Sequence, residues 1–227
     1  MAIYAISDLH LSLSGDKPMD MFGEVWRDHA TIIAGNWDST VGENDTVLLA
    51  GDHSWALRFE NAKADLDFIA ARPGRKIMIR GNHDYWWRRE ATNRIQKQLP
   101  ENMTLLHGRG IVVDGVGIAG TRGWRLEEGD DAEAVDSKVM NRELDYLHRA
   151  LSEIPANVSH KIAMLHYPPF DARLDPNEFA GVLQANGVDI LVYGHIHTGL
   201  YLQGDIDGIK YMLVSADHVD MRPVRVI

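Results

Sequence analysis

Thr46-Val47-Leu48-Leu49-Ala50-Gly51-Asp52 reads as a buried strand that stops at a glycine and then delivers an acid. A short apolar run bounded by a turn residue is the pattern of a strand covered on both faces. Gly51 lets the chain turn tightly, and Asp52 follows at once. The same grammar recurs on either side. Ala2–Ile6 runs into Ser7-Asp8-Leu9-His10, and Lys76–Arg80 runs into Gly81-Asn82-His83-Asp84. Lys161–Leu165 runs into His166-Tyr167-Pro168-Pro169, and Ile190–Tyr193 into Gly194-His195-Ile196-His197. In open α/β sheets the edge beyond the strand C-termini is where ligands bind. One polar cluster after a strand is an ordinary loop; five of them predict convergence on one site, with Asp52 as its hub.

The intervening segments carry helical spacing. Met21–Trp37 places Phe22, Val25, Trp26, Ile32 and Ile33 near a 3.6-residue period. Glu60–Ala70 is closed by Pro73-Gly74, Arg88–Leu99 by Pro100, and Pro176–Asn186 by Gly187. Ala132–Glu153 lines Val135, Val139, Leu144, Leu147 and Leu151 along one side. Met103–Leu106, Gly110–Val113 and Val116–Ala119 are short strands, the last two joined at Asp114-Gly115, a strong hairpin signal. Thr121–Asp131 reads as a loop, and Leu200–Gln203 with Ile209–Val214 as a final hairpin turning through 204–208. Strands alternating with helices predict an α/β fold. The later hairpins add mixed character, and two sheets packed face to face with helices outside suit so many short apolar strands. No repeat or linker interrupts the chain, so a single domain over 1–227 is expected. With a strand starting at residue 2, no preceding domain is expected.

Composition narrows the function classes. The chain has 227 residues, 45% hydrophobic and 25% charged, as in a globular protein with a substantial core. No apolar run reaches the roughly 18 residues of a membrane span, and the start lacks the basic region of a signal peptide. There is no cysteine, which removes disulfides, thiolate metal sites and cysteine nucleophiles and fits a cytoplasmic location. A net charge of −10 disfavours long nucleic acid as a partner but leaves room for a small phosphorylated substrate held by local positive charge.

Side-chain types then point to the chemistry. Asp, Asn and His without Cys form an oxygen and nitrogen donor set that suits Mn, Fe or Zn. Asp8 and His10 are two residues apart, as are His195 and His197, and along an extended segment each pair shares one side. A carboxylate has two oxygens and can bridge two cations, and Asp52 is the best bridging candidate.

In combination, Asp8-Leu9-His10, Gly51-Asp52, Gly81-Asn82-His83-Asp84, His166 and Gly194-His195-Ile196-His197 resemble the calcineurin-like metallophosphoesterase superfamily, in the family's own order from residue 8 to residue 197. The resemblance implies a four-layer αββα sandwich of two mixed β-sheets flanked by helices. It also implies two metal ions, one held by Asp8, His10, Asp52 and His197 and the other by Asp52, Asn82, His166 and His195. His83 would not be a ligand but would protonate or stabilise the leaving group, with Asp84 holding and polarising it. Hydroxide bridging the two metals would attack phosphorus.

Departures from the family are visible too. Many members carry a second Asp three residues after the bridging one, where this chain has Trp55, and the Asp-Arg-Gly of protein phosphatases is absent after Asp52. The motif loops are similar to those of a poorly characterised bacterial branch of predicted phosphohydrolases. Trp55, Tyr85, Trp86, Trp87 and Trp124 lie in or beside these loops. They read either as packing or as a stacking surface for a base or aromatic leaving group. His53 reads as a local hydrogen-bonding residue or as the pocket edge. Among Arg88, Arg89, Arg122 and Arg125, Arg122 between Gly120 and Gly123 is the first choice for binding phosphate. Tyr167 and Pro168-Pro169 shape a turn, and His29, His107, His148, His160 and His218 read as ordinary histidines.

The expected protein is a cytoplasmic binuclear metal-dependent phosphoesterase acting on a monoester or diester. Its Arg and aromatic residues point toward a nucleotide or cyclic nucleotide. Two rivals are a catalytically silent scaffold and a nuclease. Scaffolds typically lose ligands or the His of the Asn-His motif, and this chain keeps them all. A nuclease is opposed by the acidic charge.

Overall fold

The computed structural model describes residues 1–15, 17–124 and 133–227. Arg125, the side chain of Val135 and the loop expected beyond Trp124 lie outside the described residues. The chain forms two compact units, one from residues 1–105 and 214–227 and the other from residues 106–213.

The first unit is built on β1 (Ile3–Ile6), β2 (Thr46–Leu49), β3 (Arg75–Met78) and β4 (Met103–Leu105), all parallel neighbours in that order. The helices α1 (His29–Thr40), α2 (Phe59–Ala70) and α3 (Thr92–Gln96) fall between successive strands, as parallel pairing requires. Ile6 pairs with Leu49 and Leu49 with Met78. The loops after β1, β2 and β3 therefore leave the sheet together, and they carry Asp8, Asp52 and Asn82. Ile33, Trp37, Val47, Leu49, Leu66, Ile69 and Met78 are among the residues of its buried core.

The second unit is a six-stranded sheet of β5 (Arg109–Val113), β6 (Val116–Thr121), β7 (His160–Leu165), β8 (Ile190–Tyr193), β9 (Gly204–Ile206) and β10 (Ile209–Leu213). Its order is β5-β6-β7-β8-β10-β9, with parallel pairs inside and antiparallel pairs at both edges. Thr121 pairs with Leu165, Leu165 with Tyr193, and Tyr193 with Leu213. Arg122, His166 and Gly194 therefore step off one edge in register. The helices α4 (Glu133–Ser152) and α5 (Glu178–Ala185) belong to this unit, and Asn177 caps α5 by accepting from the Phe179 N–H at 3.0 Å. The chain then returns to the first unit with β11 (Val224–Arg225), antiparallel to β1.

Most strands stand where the apolar runs put them; the departures have local causes. The Met21–Trp37 helix is instead two 3₁₀ turns, Met19–Phe22 and Glu24–Trp26, followed by α1. Gly23 at φ 135° and Asp28 at φ 54° interrupt it, and Phe22, Val25 and Ile32 are exposed rather than buried. Arg88–Leu99 shortens to a 3₁₀ turn and α3. The last hairpin turns at Asp207-Gly208, with φ 49° and 83°, like Asp114-Gly115 at 48° and 82°. Residues 204–206, expected as turn, are therefore strand. No helix among the described residues is long and apolar enough to cross a membrane.

Lys76 is a buried cation on β3 whose ammonium donates to the carbonyls of Ala70, at 3.1 Å, and Arg72 at the end of α2. Helix C-termini favour a positive charge, yet burial outweighs this and pushes the Lys76 pKa down to about 8. Between that value and the unfolded one near 10.4, the unfolded chain binds the extra proton. Stability from this group therefore rises with pH across that window. Relative to Lys76→Met, the native protein should gain on the order of 1–3 kcal/mol from pH 7 to pH 10 in urea unfolding. A pH-independent difference would contradict this.

Candidate metal centre

In the first unit, the loop after β1 lies along the loop after β2. Asp8 N–H donates to Gly51 O at 2.9 Å, His10 N–H to Asp52 O at 3.0 Å, and Leu11 N–H to His53 O at 3.0 Å. Asp8, His10 and Asp52 are all buried and adopt left-handed backbone, with φ 55°, 45° and 53°. Such strain in non-glycine residues costs on the order of 1–3 kcal/mol each and gathers at functional sites. The regular extended segment expected for Asp8 and His10 is thus broken by left-handed residues at both positions.

Both carboxylates are used the same way. Asp8 Oδ2 accepts from Ser7 Oγ at 2.5 Å and Ser215 Oγ at 3.0 Å, while Oδ1 stands 3.9 Å from His10 Nε2. Asp52 Oδ1 accepts from His83 N–H at 2.7 Å, while Oδ2 stands 3.8 Å from His10 Nε2. One oxygen of each acid is anchored and the other faces the imidazole. Ligands about 2.0–2.2 Å from a common ion lie roughly 3–3.5 Å apart, so each of these two acid–imidazole pairs fits a cation with a small inward shift.

Gly81 brings the loop after β3 against Asp52. A Cβ there would sit 2.0 Å from Asp52 Oδ1 and 2.3 Å from Asp52 N. Gly81→Ala must displace the bridging candidate, with a stability loss of about 1–3 kcal/mol and weakened metal uptake expected. Thermal unfolding and metal analysis read both; an unchanged protein would contradict the close approach.

Asp84 does something other than expected. Its carboxylate accepts from the backbone N–H groups of Gly81, Asp52 and His53 at 2.8–2.9 Å, and of Ser54 at 3.3 Å. It also accepts from Trp86 Nε1 and pairs with His53 Nδ1, both at 2.9 Å. Burial alone would raise its pKa, but the His53 imidazole and the converging donors hold it well below the usual carboxylate range. Asp84 therefore clamps the β2 and β3 loops, and its oxygens are directed to His53 rather than His83. His53 and Trp86 are buried partners of this clamp, which removes them as substrate-binding surfaces. Trp87 is also buried, donating to Thr92 Oγ1 at 2.9 Å.

His83 itself is half-buried, with Nδ1 3.3 Å from the hydroxyl of Tyr85 and its ring 4.3 Å from that of Trp55. Trp55, at the family's second-Asp position, stacks on His10 at 4.8 Å and 23° and has Lys17 Nζ 3.1 Å from its ring centroid. Its indole N–H donates to Met19 Sδ at 3.0 Å. The ring already serves this chain's own groups, so it reads as a buttress of both histidines rather than an open base-stacking platform.

Asp65, on α2, supports the site from outside every motif of the sequence. This buried carboxylate accepts from Ser54 Oγ and from Leu13 N–H at 2.7 Å, tying the β1 and β2 loops together. Burial is the largest influence on it and raises its pKa. The available signal was an acid on the apolar face of Ala62, Leu66 and Ile69.

In the second unit, His166 and Tyr167 N–H groups donate to Arg122 O at 3.0 and 2.9 Å, and Gly194 N–H to His166 O at 3.3 Å. The rings of His166 and His195 are 5.2 Å apart at 71°, and Tyr167 lies 4.3 Å from His195. His166 is buried; His195, at φ 72°, and His197 are half-buried. Tyr167, expected only to shape a turn, is also a ring neighbour of His195.

Comparison with known proteins adds the family. The chain matches the calcineurin-like phosphoesterase family over residues 1–199. It is 38% identical over 78 residues to the Gene 66 protein of Mycobacterium phage L5, covering 34% of this chain and 37% of that one. It is 36% identical over 88 residues to the Gene 66 protein of Mycobacterium phage D29, covering 36% and 40%. The chain thus spans well under half the length of these curated relatives. Among solved structures, a phosphopantetheinyl hydrolase (PptH) from Mycobacterium tuberculosis aligns with TM-score 0.61 and 14% identity, covering 94% of this chain and 88% of that one. A protein of unknown function, AQ665, from Aquifex aeolicus aligns with TM-score 0.52 and 17% identity, covering 99% and 95%. These likenesses show the fold, a calcineurin-like sandwich of two mixed sheets with helices.

Proposed function

The chain belongs to the calcineurin-like phosphoesterase family, and from that premise we propose that it is a binuclear metal-dependent hydrolase of small phosphate esters, acting in the cytoplasm as a single domain over residues 1–227. Asp8, His10, Asp52 and His197 would hold one ion, and Asp52, Asn82, His166 and His195 the other. Mn, Fe and Zn suit these donors. When bound, such ions supply Lewis acidity, acidifying water for attack and screening charge on the phosphoryl oxygens. The observation that carries this reading is the paired use of Asp8 and Asp52, each with one oxygen anchored and the other facing His10.

The chain's own residues do the rest. Asp84 keeps the β2 and β3 loops in place, Trp55 backs His10 and His83, and His83 donates a proton to the leaving oxygen. Arg122 binds oxygens of the phosphoryl group through its guanidinium. A net charge of −10 favours a small substrate over a long polyanion. The test is hydrolysis by protein loaded with Mn, Fe or Zn. The panel is p-nitrophenyl phosphate, its bis ester, 2′,3′- and 3′,5′-cyclic nucleotides and a phosphopantetheinylated carrier protein. Turnover that chelation abolishes and metal restores is expected. Two tightly bound metals with no turnover on any ester would favour a binding scaffold instead.

A further inference from the structure

We infer that Glu143 is a positioning residue that fixes Arg122 as an anion clamp in the second unit; what the anion is, a phosphoryl group, rests on the hydrolase reading above. Glu143 lies on the buried side of α4 and is 1% exposed, with Met140, Leu147 and Ala150 on the same face. A carboxylate there is costly unless it is paired and hydrogen-bonded. Its Oε2 accepts from the hydroxyl of Thr121, the buried last residue of β6, and its Oε1 stands 4.0 Å from Arg122 Nη2. One carboxylate therefore ties the end of β6 to α4 and faces the cation that follows.

The remaining contacts of Arg122 lead toward the histidines. Its guanidinium carbon lies 4.4 Å from the Trp124 ring centroid and 6.0 Å from that of Tyr167, which in turn is 4.3 Å from His195. Its carbonyl accepts both the His166 and Tyr167 N–H groups. Arg122 thus belongs by main chain to the His166 loop and by side chain to the Tyr167–His195 stack. A guanidinium held by a carboxylate and an aromatic ring loses little rotamer freedom when it binds. Its planar fork matches two oxygens of a tetrahedral oxyanion. Glu143 acts only through Arg122.

The experiment is isothermal titration of inorganic phosphate into the metal-loaded full chain, for the native protein, Arg122→Ala, Glu143→Gln and the double variant. Glutamine keeps the volume and an acceptor for Thr121. Arg122→Ala should weaken phosphate binding roughly ten- to a hundredfold, the range for hydrogen bonds to charged groups, and Glu143→Gln by roughly fivefold. The double variant should bind like Arg122→Ala alone, because removing the clamp leaves Glu143 nothing to position. Metal content should be unchanged throughout. Equal losses from Glu143→Gln in both backgrounds would overturn the inference, as would a native protein that does not bind phosphate. Should Glu143→Gln fail to fold, Glu143→Asp, which keeps the charge but withdraws it, is judged by the same cycle. A native protein that binds phosphate but hydrolyses no ester would sink the hydrolase reading and leave this inference standing.

Discussion

Asp84→Ala should lose about 3–5 kcal/mol of stability, the cost of removing a buried, multiply hydrogen-bonded carboxylate and stranding its partners. The alanine would leave the N–H groups of Gly81, Asp52 and His53, the indole of Trp86 and the imidazole of His53 without their shared acceptor. Each stranded buried donor costs about 1–3 kcal/mol, although water entering the gap recovers part of this. Asp84→Asn fares little better, because its amide presents donors to donors. Urea unfolding with far-ultraviolet circular dichroism reads the loss. An unfolding free energy within about 1 kcal/mol of the native protein's would show that the clamp is ornamental.

His83→Ala should lower kcat by about 10²–10⁴, the usual contribution of a positioned general acid, while keeping the metals and the fold. His83 touches Trp55 and Tyr85 through its ring, and its backbone N–H, retained in alanine, is what anchors Asp52. His53→Ala is the informative contrast. That imidazole is buried against Asp84, so its loss should appear first in unfolding. Metal analysis beside steady-state kinetics separates the two. An emptied site in His83→Ala, or full turnover, would remove His83 from the role assigned to it.

The parallel scaffold was legible because buried strands announce themselves as apolar runs stopped by Gly, Asp or His. Thr46–Leu49 and Ile190–Tyr193 stand where those runs lie. Periodicity misled at Phe22, Val25 and Ile32, which keep helical spacing but stand exposed beside breaks at Gly23 and Asp28. The short strand β11 carries too few residues to show a period. The metal-ligand candidates were visible as a pattern of residue types. Their supports were not, because direction is a property of the folded backbone. Asp84 follows His83 in the chain, yet its oxygens turn to His53 and to the loop main chain. Asp65 and Glu143 belong to no motif, and only their place on an otherwise apolar helix face sets them apart.

We propose that this one chain holds two metal ions with Asp52 shared between them. Elemental analysis of the protein purified without chelator, beside Asp52→Asn, tests it most directly. Two transition-metal ions per native chain, with both lost in Asp52→Asn, is the predicted result. Two tightly held ions in Asp52→Asn, or a native chain that retains none in the presence of Mn, Fe and Zn, would contradict it.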